Sequence, residues 1–254
     1  MTLDWTPLDR ELALWSEEDR VVPLWWRDDD AVAPSPALNR LSSLSARLGL
    51  PVYLAVIPAR AEPALADLVA SAPHLIPVQH GWVHENHAEA GQKKAELGAH
   101  RPAAQVLDEV RRGRARMLDL FGDRMRPMLV PPWNRIAPEV VAGLPGVGLS
   151  WLSTYTPRRG RMAAPGLEQV NTHLDPVDWK GTRGLLPPER LIEGLVATLA
   201  DRRNGAIDAT EPLGLLTHHL VHDDAIWDFT EAVLERLLAG PVRVWTVPKT
   251  EDEE

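Results

Sequence analysis

Three consecutive carboxylates, Asp28, Asp29 and Asp30, follow the apolar run Leu24-Trp25-Trp26 and a single Arg27. Like charges packed this closely repel unless a cation, a proton or a basic neighbour compensates them. Further along, Gln79-His80-Gly81-Trp82-Val83-His84-Glu85-Asn86-His87 places His80 and His84 four apart. That spacing puts both imidazoles on one side of a helical turn, where they can share a divalent ion, with His87 as a third candidate. The chain has nine His and no Cys, so a thiol nucleophile, a Cys-ligated zinc, an iron–sulfur cluster and a disulfide framework are all excluded. A metal must then be held by His and carboxylate. Two His and one Asp leave an open position, as catalytic rather than structural sites do. An ion there lowers the pKa of water and polarises a carbonyl. A neighbouring carboxylate can take a proton and a His across the pocket can protonate a leaving group, roles that Asp29 and His218 fit.

These residues need elements to bring them together. Short runs rich in Val, Leu and Ile alternate with segments of helical period, the pattern of βα units around a mostly parallel sheet. Strands are expected over residues 21–27, 51–57, 75–79, 127–130, 148–152, 167–171, 213–217 and 242–247, and helices over 35–48, 63–70, 102–120, 138–144, 187–200 and 226–238. Ser35 caps the first of these helices and Pro36 suits its first turn. Polar clusters sit just after strands: Arg27 to Asp30, His80 to His87, Pro131 to Arg135, Asp175 to Trp179 and His218 to Asp224. Carboxyl ends of parallel strands face one way, so the five segments converge on one mouth. Residues 1–254 are expected to form one α/β domain, with its core over about 21–247.

Taken in order, these motifs resemble the polysaccharide deacetylases, the family 4 carbohydrate esterases with chitooligosaccharide deacetylase homology. The Asp-Asp motif is similar to Arg27-Asp28-Asp29-Asp30-Ala31, the His-x-x-x-His motif to His80–His84, the Pro-aromatic motif to Pro131-Pro132-Trp133, the Asp-Trp element to Asp175-Pro176-Val177-Asp178-Trp179, and the final motif to Leu215-Leu216-Thr217-His218. The resemblance implies a distorted (β/α) barrel of seven or eight strands, a divalent metal with zinc as the expected ion, and hydrolysis of an N- or O-acyl group. Aligning Ala31 makes Asp30 the ligand beside His80 and His84, and Asp29 the base; a shift of one residue makes them Asp29 and Asp28. The backbone amide of Trp133 would help hold the oxyanion, and Trp179 would form a pocket wall. Many family members carry an Arg before the Pro-aromatic pair to orient the base. Val130 stands there, leaving Arg27 or Arg135 to substitute.

Several finer expectations follow. His218 is the expected acid, with His222 in reserve, and His219 is expected on the surface because strand neighbours point to opposite faces. Of ten Trp, Trp82, Trp133 and Trp179 are placed near the mouth, with Trp82, Trp179 and Arg135 as substrate contacts; Trp26 also adjoins a motif, while Trp5, Trp15, Trp151 and Trp245 are read as packing. The loop from Glu85 to Arg101, with Lys93, Lys94, Glu96 and His100, flanks the His pair and is a candidate for shaping specificity. Arg111, Arg112, Arg114 and Arg116 form a solvated basic face.

A net charge of −9 and the acidic ending Glu251-Asp252-Glu253-Glu254 argue against a nucleic-acid partner. No apolar run is long enough to span a membrane and the start lacks a signal-peptide pattern, so a cytoplasmic enzyme acting on a small molecule or oligosaccharide is expected. Two other readings compete: a barrel that binds metal or carbohydrate without turnover, and an amidohydrolase cleaving a non-sugar C–N bond such as a ureide.

Overall fold

All eight apolar runs read as strands join one sheet. In the computed structural model, which describes residues 3–247, the strands are β1 (Val22–Ala31), β2 (Val52–Val56), β3 (Leu75–His80), β4 (Met128–Val130), β5 (Trp151–Leu152), β6 (Met162–Ala164), β7 (Leu167–Gln169), β8 (Leu213–Thr217) and β9 (Val242–Val244). The acidic ending at residues 251–254 lies outside the described residues. The strand order is β6-β7-β5-β4-β3-β2-β1-β8, with β9 pairing the first residues of β1. Every pairing is parallel except β6 with β7.

Among the described residues no continuous ladder closes the ring. Instead the chain leaving β7 reaches β8, where His173 N–H donates to Gly214 O at 2.7 Å and Leu216 N–H to Leu174 O at 2.8 Å. Gly214 permits this approach, since a Cβ there would stand 2.5 Å from both Asn171 O and Trp25 Nε1. The result is a distorted (β/α) barrel.

Alternation on β1 explains the two cores. Trp25 points inward with Tyr53, Val78, Met128, Val130 and Trp151, while Leu24 and Trp26 point out under the helices. The helices are α1 (Thr6–Glu17), α2 (Pro36–Leu48), α3 (Pro63–Ser71), α4 (Ala103–Phe121), α5 (Pro138–Gly143), α6 (Pro188–Arg203) and α7 (Asp224–Ala239). On α2, Ser35 accepts from Leu38 N–H at 3.0 Å, and Leu38, Leu41 and Leu44 form the buried stripe.

Two elements were not expected. Helix α1 buries Leu8, Leu12 and Trp15 and packs on α6. Strand β6 folds back onto β7 through Pro165-Gly166, with Gly166 at φ +77°, a two-residue turn signal of the kind that joins antiparallel strands. The last predicted strand stops at Val244; Trp245 and Val247 join the cluster inside the barrel. Among the described residues no helix is long and apolar enough to cross a membrane.

Candidate active site

The carboxyl end of β1 departs from regular pleating at the acidic triplet. Asp28 pairs with Leu54 and Ala31 with Val56, so β1 holds one more residue than β2 across this stretch, a β-bulge. Regular alternation would send Asp29 to the mouth and Asp30 away from it. The extra residue, with Asp30 at φ +73°, turns both carboxylates into the same cavity. Asp28 faces the other way and is fully buried, accepting from Thr217 Oγ1 at 2.6 Å and His219 N–H at 3.0 Å and pairing with His219 Nδ1 at 2.5 Å.

His80 ends β3, and its Nδ1 lies 2.9 Å from Val130 O. That contact assigns the proton to Nδ1 and leaves the Nε2 lone pair free. The expected helical turn is absent: residues 81–87 form an irregular loop, and His84 has φ +62°. A buried carboxylate sets the loop instead. Glu96 accepts from Trp82 N–H at 3.1 Å, Val83 N–H at 2.7 Å and His84 N–H at 2.9 Å. Gly81 is required beneath it, because a Cβ would lie 2.0 Å from Glu96 Oε2 and 2.7 Å from Pro132.

Asp30 Oδ1 thereby comes to 3.2 Å from His80 Nε2 and 3.3 Å from His84 Nε2. The three donor atoms lie within 4.8 Å of one another. Asp30 Oδ1 is buried, yet no donor meets it with hydrogen-bond geometry. One carboxylate and two imidazole nitrogens around an orphaned oxygen match the donor set of a divalent ion with an open position. Burial alone would raise the Asp30 carboxyl, but the adjacent imidazoles, His80 first and then His218 and His84, outweigh it and hold it well below the usual range. Burial and the neighbouring His80 push His84 down, toward the neutral form that ligates.

Asp29 is gripped from behind. Arg27, two residues back on the same strand face and fully buried, donates from Nε to Oδ1 at 2.9 Å and from Nη2 to Oδ2 at 3.0 Å. Its remaining donors reach Ser153 Oγ at 2.7 Å, Thr154 O at 3.1 Å and Asn134 Oδ1 at 2.8 Å. Arg135, the other candidate for this task, lines the cavity but donates to Lys94 O at 2.8 Å, and no bond joins it to Asp29. Trp133 and Asn134 are both left-handed at φ +56°, a strained pair of the kind found at functional sites. The Trp133 ring packs 4.3 Å from that of His84.

His218 follows β8 with Nε2 at 3.9 Å from Asp29 Oδ2. Its ring meets Trp179 edge-on at 4.6 Å. Trp179 Nε1 in turn donates to Asp175 Oδ2 at 2.7 Å. Burial raises the Asp175 carboxyl. His222 is not in the cavity; its Nε2 accepts from His218 N–H at 3.2 Å and its ring packs on Trp227.

Asp29, Asp30, His80, His84, Trp133, Arg135, Trp179 and His218 line one cavity of about 710 Å³. Trp82 does not; it lies under the Arg112 guanidinium on the α4 side. His219 is not on the surface, because the face of β8 turned away from the mouth is covered by helices rather than solvent. Trp26 is buried with Nε1 bonded to Thr217. His87 stands outside the donor group. The sequence placed Glu96 in a candidate specificity loop and Asn134 in the cluster after β4 without giving either a role, and it missed Ser153, Tyr155, Lys180 and Arg183; the i, i+2 spacing of Arg27 and Asp29 on a strand is a usable signal for their pairing.

No family model matches the sequence, and no curated protein sequence matches it. Solved structures do match. A family 4 carbohydrate esterase from Streptomyces lividans, in complex with acetate, superposes with TM-score 0.55 at 14% identity, over 89% of this chain and 93% of that one. The peptidoglycan deacetylase PdaC from Bacillus subtilis gives 0.55 at 14%, over 88% and 87%. A mutant of a family 4 pseudoenzyme with restored activity gives 0.58 at 12%, over 88% and 65%. The fold is thus that of the family 4 carbohydrate esterases, the polysaccharide deacetylase barrel.

Proposed function

We propose that the protein is a divalent-metal-dependent hydrolase that removes an acyl group, acetyl foremost, from an N- or O-acylated carbohydrate or related small molecule. The observation that carries the reading is the shared cavity: Asp29, fixed by the Arg27 fork, opens onto the same space as the Asp30, His80 and His84 donors, with His218 Nε2 3.9 Å from Asp29. A cavity of about 710 Å³ is within the range of small-molecule sites.

Asp30, His80 and His84 would hold the ion, with zinc as the expected occupant of such a donor set. When bound, the ion supplies Lewis-acid polarisation of the acyl carbonyl and a lowered pKa for water. Asp29 accepts the proton of the attacking water, its carboxylate aimed by two parallel bonds from Arg27. The backbone N–H of Trp133 donates to the acyl oxygen as negative charge develops there. His218 Nε2 passes a proton to the departing amine or alcohol, and Trp179, lying against that imidazole, bounds the leaving-group side.

A binding protein without turnover would find its support in Val130, where the usual arginine is missing. Arg27 supplies the same two donors from the strand itself, which favours turnover.

The test is metal analysis of the purified protein combined with acetate release from a panel of N- and O-acetylated compounds and ureides. About one ion per chain and turnover on an acetylated compound are expected for the wild type, and loss of both for Asp30→Ala. A protein purified without chelators that carries no metal and takes none up would overturn the proposal, and turnover confined to ureides would move it to the amidohydrolase reading.

A further inference from the structure

The cavity wall carries four cationic side chains that the hydrolytic chemistry does not use: Lys94, Arg135, Lys180 and Arg183. Among the described residues, none of the cavity's own carboxylates forms an ion pair with them. Asp29 is consumed by Arg27, and Asp30 is aimed at His80 and His84. Asp175 accepts from Val177 N–H and Trp179 Nε1, and Asp178 from Gly181 and Thr182 N–H. Among the described residues no ion pair involves any of the four cations. Elsewhere Arg20, Arg40, Arg47, Arg101, Arg158, Arg161, Arg203 and Arg236 are paired with carboxylates, and Arg114 and Arg124 donate to backbone carbonyls. Lysine is also scarce. The chain has only four Lys, and two of them, Lys94 and Lys180, stand at this mouth. On a protein of net charge −9, the gathering of four cationic side chains at one mouth is not a by-product of overall composition.

Position narrows the ligand. Lys180 and Arg183 sit on a tight loop closed by Asp178 N–H to Gly184 O at 2.9 Å and Arg183 N–H to Asp178 O at 3.0 Å. Arg183 adopts φ +63°, a costly conformation for a side chain of its size. Its guanidinium lies 5.6 Å from the Trp179 ring, which in turn meets His218. Arg183 therefore stands one ring away from the acid, with Lys180 next to Trp179 in sequence and lining the same cavity.

We infer that the substrate is an anionic acyl compound whose phosphate or carboxylate group, carried on the leaving-group portion, is held by Lys180 and Arg183 at the edge of Trp179, with Lys94 and Arg135 lining the same cavity. The inference rests on the hydrolase reading for the identity of the leaving group, and on the cavity alone for the oxyanion. Two charge-assisted contacts to an oxyanion give discrimination that a neutral sugar cannot obtain.

The experiment compares kcat/KM for N-acetylglucosamine, its 6-phosphate and its 6-carboxylate counterpart, in wild type and in the Lys180→Gln/Arg183→Gln variant. Wild type is expected to prefer at least one anionic compound by about tenfold or more, and the variant to lose that preference. The arm that shows the preference identifies phosphate or carboxylate. No preference in wild type, or a preference kept by the variant, overturns the inference while leaving the hydrolase reading intact. Should no acylated compound turn over, binding to the metal-free protein decides, read by tryptophan fluorescence with glucosamine and glucosamine 6-phosphate. Tighter binding of the phosphate by about tenfold, lost in the variant, keeps the oxyanion subsite and removes only the hydrolase reading; equal binding removes the subsite.

Discussion

Arg27 and Arg135 lead to opposite expectations although both lie beside the motifs. Arg27 is fully buried and its five N–H groups are distributed over Asp29, Ser153, Thr154 and Asn134. Removing it would leave a buried carboxylate without its counter-charge, which costs roughly 3–5 kcal/mol. Asp29 would also lose both bonds that aim it into the cavity. Arg27→Ala is therefore expected to lower kcat by about 100-fold or more and to reduce thermal stability, whereas Arg27→Lys should recover the charge but not the two-point aim. Arg135→Ala, which loses one bond to the Lys94 carbonyl, should leave kcat for a neutral acetylated compound within a few-fold. Steady-state kinetics and a melting curve on the three variants check this, and equal losses of kcat for Arg27→Ala and Arg135→Ala would contradict it.

At the scale of elements, the His pair depends on a loop rather than a helix, and on one carboxylate within that loop. Glu96 collects three successive backbone N–H groups, including that of His84 itself. It acts through His84 as a positioning residue. Glu96→Gln keeps the size but can present only one carbonyl oxygen to the three donors, so His84 should lose its fixed bearing on Asp30. Metal affinity is expected to weaken by about 10–100-fold, as when partners of metal ligands are removed, with the melting temperature of the metal-free protein changing little by comparison. Competition with a chromophoric chelator measures the first quantity, and unchanged affinity would refute the role. Much of this layer was legible in the sequence: apolar runs mark strand ends, and strand ends place Asp29, His80 and His218 at one mouth. The bulge between Asp28 and Ala31 was not legible, nor were the left-handed conformations of Asp30, His84 and Trp133. A positive φ at a residue other than Gly or Asn leaves little local signature, because tertiary contacts impose it. His219 shows the same limit from another side. Alternation gave its direction correctly, but not that helices cover that face and that Asp28 waits there.

For the whole molecule, buried imidazoles tie stability to pH in opposing ways, and His222 permits a clean separation. Burial disfavours its charged form and brings its pKa down to about 4, against the opposing charge of Asp28. An unfolded histidine titrates near 6.5. Between those values the unfolded chain binds the additional proton, so stability falls with acidification. The contribution is fully present above about pH 6.5 and is lost as the pH drops toward 4; a gap of this size corresponds to about 3 kcal/mol. His74 and His173, also lowered by burial, act in the same direction. His219 acts in the other. Burial alone would lower it, but the charge and hydrogen bond of Asp28 raise it, so its share is present at low pH and fades as the pH rises through its folded value. The net profile of the wild type therefore mixes signs, but the difference between wild type and His222→Gln does not, because Gln preserves an acceptor for His218 N–H and has no proton to gain. In chelator, so that protonation of the metal ligands does not enter, the stability advantage of wild type over His222→Gln should shrink steadily between pH 7 and pH 4.5. Denaturant unfolding across that range reads it directly. Parallel profiles would mean that His222 becomes charged in the folded protein as easily as in the unfolded chain, contrary to its packing against Trp227 behind His218.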